Sequence, residues 1–121
     1  MVAALLALPA PWPEAAQAGE VTVVAIAVEP EGGGRFSFAV TLRHADQGWD
    51  HYADRWDVVS ADGKTVYGER VLYHPHVTEQ PFTRSLDGVA IPPGVREVVV
   101  RGHDKVHGLG GPTRTVALPG R

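Results

Sequence analysis

Arg35-Phe36-Ser37-Phe38-Ala39-Val40-Thr41-Leu42-Arg43 alternates large apolar residues with small or polar ones without a break. Period-two alternation puts Phe36, Phe38, Val40 and Leu42 on one face and Arg35, Ser37, Thr41 and Arg43 on the other, the pattern of a strand buried on one side. Just upstream, residues 21–28 form a second β-rich run, separated from the first by Glu29-Pro30-Glu31-Gly32-Gly33-Gly34. Those glycines permit the positive φ that a hairpin needs.

The same pattern continues downstream. Residues 51–59 carry Tyr52, Trp56 and Val58 on one parity and lead into Ala61-Asp62-Gly63-Lys64, whose Asp-Gly pair signals a hairpin. Residues 65–73 end at His74-Pro75-His76. Residues 82–86 follow Pro81 and close with Asp87-Gly88. Residues 95–101 follow Ile91-Pro92-Pro93-Gly94, and residues 113–118 follow Gly108-Leu109-Gly110-Gly111-Pro112. The glycines from Gly102 to Gly120 read as turn and linker chemistry. No stretch keeps a helical period, so the expected fold is all-β, a seven-stranded antiparallel sandwich, with a small barrel as its competitor. Strand count, turn placement and Trp56 on the third run resemble immunoglobulin-like domains. The missing Cys pair makes the fibronectin type III-like form the closer match. That resemblance spans residues 20–119 and concerns the fold alone.

The chain has 121 residues, 11 Lys plus Arg against 14 Asp plus Glu, and no Cys. This length suits one domain, and 44% hydrophobic against 21% charged residues is ordinary globular composition. A formal charge of −3 lacks the basic footprint of nucleic-acid binding. Residues 1–18 combine an apolar run, a Pro-broken stretch and a terminal Ala16-Gln17-Ala18, which resembles a secretory signal peptide. The expectation is a periplasmic or secreted protein with a single mature domain over residues 19–121, the alternative being an N-terminal extension. No segment offers the roughly 20 apolar residues of a membrane-spanning helix. Cleavage after Ala18 would remove Met1, leaving no sulfur ligand.

All six histidines fall in or beside three loops. His44 and His51 bracket the second loop, His74 and His76 sit in the fourth, and His103 and His107 lie between the sixth and seventh strands. In a Greek-key sandwich these even-numbered connections emerge at one pole. Neutral imidazole is the commonest metal ligand, and several converging rings suit Cu(II) or Zn(II). The expected metal residues are therefore His74, His76, His103 and His107, followed by His44 and His51. Asp46, Asp50 and Asp104 are carboxylates able to ligate or to orient an imidazole. Periplasmic copper-resistance carriers resemble this combination of small β-sandwich and His ligands, although they use a His at the mature N-terminus, where this chain would present Gly19. The pole would also gain positive charge on acidification.

Other features carry less. Ser37, Ser60 and Ser85 lack a nucleophile-elbow motif, no helix follows the late glycines to hold an anion, and Asp54 and Asp57 read as surface charges, Asp54 pairing with Arg70 or Arg84. The protein is accordingly expected not to be an enzyme. The competing reading makes the same pole a protein-recognition or adhesion surface, with Trp49 as its anchor.

Overall fold

The computed structural model describes residues 20–121, so the leader-like segment lies outside it. Seven strands follow one another: β1 (Thr22–Gly32), β2 (Arg35–Arg43), β3 (Ala53–Val59), β4 (Val66–Val71), β5 (Phe82–Ala90), β6 (Glu97–Asp104) and β7 (Arg114–Ala117). They form two antiparallel sheets, one ordered β1-β2-β5 and the other β4-β3-β6-β7. The all-β sandwich is therefore the fold.

The alternation in β2 is realised as expected: Phe36, Phe38, Val40 and Leu42 are buried, while the residues between them reach the outer face. They meet Trp56 and Val58 of β3 and Val98 and Val100 of β6 from the opposite sheet, with Phe82 and Val89 of β5 beside them. Trp56 is completely buried, and removing a buried aromatic of this size costs about 3–5 kcal/mol.

Several boundaries differ from the sequence reading. β3 starts at Ala53, because Gln47 and His51 close a turn through Gly48 before extended pairing begins. β5 runs through Asp87-Gly88 to Ala90. The pairs Phe38 with Leu86 and Phe36 with Val89 leave an extra residue on β5, so this Asp-Gly is a bulge with Gly88 at φ 69°, not a strand end. β6 continues to Asp104, since Arg55 pairs with His103 and Ala53 with Asp104. His103 thus belongs to a strand. Asp57 is no surface charge either: it is buried on the outer face under Arg101, which donates to both of its oxygens at 3.1 and 3.0 Å.

Two glycines read as linkers prove to be packing positions. Gly102 in β6 lies against the Val21 side chain, and Gly111 lies against the Val21 backbone. A methyl group at either position would overlap Val21. This places the first described residues against the β6–β7 loop, where Val23 N–H also approaches the Pro112 carbonyl at 3.4 Å. The β2–β3, β4–β5 and β6–β7 loops share that pole, whereas the other three turns and Arg121 lie at the opposite one. Side chains yield more readily than backbone, so Gly111→Ala should destabilise more than Gly102→Ala, each by about 1–3 kcal/mol or more. Urea midpoints of the two variants test the order.

Candidate metal centre

Asp104 is the last residue of β6, and the strand's alternation turns its side chain inward, where it is fully buried. Its Oδ1 accepts hydrogen bonds from the backbone N–H groups of Val106 (2.7 Å) and His107 (2.5 Å), and reciprocal backbone bonds between Asp104 and Gly108 close the turn. The positive φ of Gly108, 68°, permits that closure. Two further imidazoles face the same carboxylate: His44 Nε2 lies 3.3 Å from Oδ2, and His51 Nε2 lies 3.6 Å from Oδ1. One ligand atom from each of His44, His51 and Asp104 falls within 4.8 Å of the other two. His107 borders the group, with Nδ1 3.2 Å from both Asp104 oxygens and its ring 5.0 Å from that of His51.

Asp46 holds His44 from the other side. Its Oδ1 is 2.5 Å from His44 Nδ1 and accepts from Ala53 N–H at 3.0 Å, while Oδ2 accepts from His76 N–H at 2.6 Å. A carboxylate on Nδ1 fixes the ring and directs Nε2 toward Asp104, the arrangement that commonly orients a metal-binding histidine. Burial alone would raise the pKa of Asp46, but hydrogen bonds from His44, His76 and Ala53 outweigh it and hold the group below its ordinary value. Asp104 follows the same logic: burial raises it, and the donors of His107 and Val106 bring it below normal. Both carboxylates are therefore charged at neutral pH.

The remaining histidines are distributed differently. His76 is buried and stacks on Phe82 with centroids 4.0 Å apart. Arg84 Nη2 donates to its Nε2 at 3.0 Å, which leaves the neutral ring's proton on Nδ1, 3.9 Å from Asp46 Oδ2. The exposed His74 ring lies 4.6 Å from that of His76, and its Nδ1 donates to the Pro75 carbonyl at 3.1 Å. His76 is joined to the His44 group through Asp46, and His74 reaches it only by way of His76. His103 is elsewhere. Adjacent strand residues point to opposite faces, so while Asp104 turns inward His103 turns outward. There its Nδ1 meets Asp54 Oδ1 at 2.5 Å, taking the place expected for Arg70 or Arg84 as the partner of Asp54. Arg70 instead donates to the carbonyls of Ser85 and Val71, and Asp50 is exposed.

Gln80 completes the assembly without any signal in the sequence. Its Oε1 accepts from His44 N–H at 2.9 Å and its Nε2 donates to the His76 carbonyl at 2.8 Å, fastening the β4–β5 loop to the end of β2.

Burial, then the Arg84 cation, then His74 push the pKa of His76 below its ordinary 6.5. The folded protein thus binds fewer protons at this site than the unfolded chain. Its contribution to stability is complete above pH 6.5 and declines as pH falls from there toward the folded value. With chelator present, the urea midpoint should drop between pH 7.5 and 5.5, and His76→Asn should flatten part of that drop.

A protein of Halomicrobium mukohataei named "Putative lipoprotein" is 45% identical to this chain over 97 residues. The match covers 80% of this chain and 47% of that protein, so the chain spans about half the length of the curated relative it matches. No family model matches the sequence. No solved structure matches it.

Proposed function

We propose that the chain is an exported, non-enzymatic β-sandwich domain that holds a divalent cation, Zn(II) or Cu(II), between His44, His51 and Asp104. A single observation carries this reading: a buried, charged carboxylate faces two imidazole nitrogens from a separate loop, with the three ligand atoms within 4.8 Å of one another. Tetrahedral ligands on bonds of about 2.0–2.1 Å stand roughly 3.3 Å apart; His44 Nε2 lies 3.3 Å from one Asp104 oxygen and His51 Nε2 3.6 Å from the other, so a small contraction suffices to close the group on an ion. His107 is placed to join as a fourth ligand by a ring rotation, and Asp46 serves as the carboxylate that orients His44. A carrier, sensor or storage role fits such a site. His76 supports it through Asp46, with its Nε2 held by Arg84, and exposed His74 stands beside His76 outside this ligand group. The name of the relative supports export with membrane attachment. The strand order β1-β2-β5 against β4-β3-β6-β7, with Trp56 central, supports an immunoglobulin-like sandwich whose fourth strand pairs with the third.

Titration with Zn(II) or Cu(II), followed by imidazole NMR, should give saturable shifts in His44 and His51 with little change in His103. His51→Gln should weaken binding at least tenfold without unfolding the domain, and His103→Gln should leave it unchanged. At a free metal concentration 100 times Kd, the bound ion should stabilise the fold by about 2.7 kcal/mol. No saturable response to either ion, or a response centred on His103, overturns the assignment.

A further inference from the structure

Of the large apolar side chains left exposed among the described residues, five stand on the three loops of the histidine-bearing pole. They are Trp49 between β2 and β3, Tyr73 and Val77 between β4 and β5, and Val106 and Leu109 between β6 and β7. Trp49 is 65% exposed and Tyr73 73%. Val71, at the end of β4, lies on the same side, and only Val66 is at the far end of that strand. Scattered apolar residues are normal on a protein surface, but concentration at one pole is not.

The chain also enters the domain here. Thr22 pairs with Arg43 at the near end of β2, and Val21 packs on Gly111. Of the residues that precede Val21, Glu14 and Glu20 are charged and the rest are not. Charges on the pole balance: exposed Arg43 and Lys105 stand against Asp50 and Glu79, and half-buried Arg84 against half-buried Glu20.

From this we infer that the pole is a membrane-contacting face, its occupant a lipid bilayer, with Trp49, Tyr73 and the neighbouring aliphatic side chains seated at the headgroup level. Trp and Tyr favour that level because one end of the ring system is apolar and the other polar. The apolar groups sit on separate loops, a form suited to shallow insertion between headgroups. A stable protein partner would instead need about 800 Å² of packed surface on each side. The residues outside the described part join the domain at this pole, next to Val21. Balanced charge means that attraction to anionic lipid adds little. The contact does not depend on the cation site.

The test uses the full chain carrying Trp12→Phe, so that Trp49 and the fully buried Trp56 are the remaining indoles. With phosphatidylcholine vesicles containing brominated acyl chains, Trp49 emission should shift to the blue and be quenched. Co-sedimentation should be nearly unchanged by added phosphatidylglycerol or by salt. Trp49→Ser combined with Tyr73→Ser and Val106→Ser should reduce partitioning at least tenfold, Trp49→Ser alone should reduce it measurably, and Val66→Ser should not. Undiminished partitioning of the triple variant, absence of quenching, or steep salt dependence overturns the inference. So does Trp49-dependent self-association in the absence of lipid, which would make a second copy the occupant.

Discussion

A carboxylate removed from water at the end of β6 constrains everything around it. Desolvating an ionised Asp side chain is costly unless donors or cations replace the lost hydration. Asp104 obtains two backbone donors from its own turn, and those bonds fold the 104–108 segment back so that His107 returns toward the carboxylate. Its other oxygen is answered from the opposite sheet by His44. The conformation of the β6–β7 loop and the approach of the two sheets at this pole therefore share one electrostatic cause.

Asp46 repeats the arrangement one layer away and ties the third loop into it. Accepting from His44, Ala53 and His76 at once, it joins the end of β2, the start of β3 and the β4–β5 loop. Gln80 spans the same gap with a second pair of hydrogen bonds. Such loops gain little from apolar burial, since much of their hydrophobic surface faces outward. Their positions are set by polar bonds whose partners lie 30 or more residues apart in sequence. That geometry suits a binding site, because ligand groups must be held before the ligand arrives.

The fold was legible because its signal is local. Alternation in residues 35–43, the turn glycines and Trp56 each state a strand, a reversal or a core position without reference to distant residues. The convergence of the loops at one pole followed from counting strands. What could not be read was which histidines meet, because that depends on pairing register. The sequence pattern puts His103 in a loop, but three more residue pairs with β3 beyond Arg101 keep it in the sheet and turn it away from Asp104. Asp54 found His103 and not an arginine for the same reason. No motif marks Gln80, and Gly102 and Gly111 resemble turn residues in sequence because nothing local shows that Val21 occupies the space beside them.

His44 links the two buried carboxylates of the pole. Asp46 Oδ1 engages its Nδ1 at 2.5 Å and Asp104 Oδ2 lies 3.3 Å from its Nε2, so one ring spans the gap between the end of β2 and the end of β6. Asp46 is itself held by the backbone N–H groups of Ala53 and His76, and the ring therefore cannot turn without disturbing bonds to two other segments. His51 brings a second ring to the other Asp104 oxygen, at 3.6 Å, from the β2–β3 loop. Two imidazoles and a carboxylate from separate segments are thus set in place by the fold, which is the preorganisation that a binding site requires.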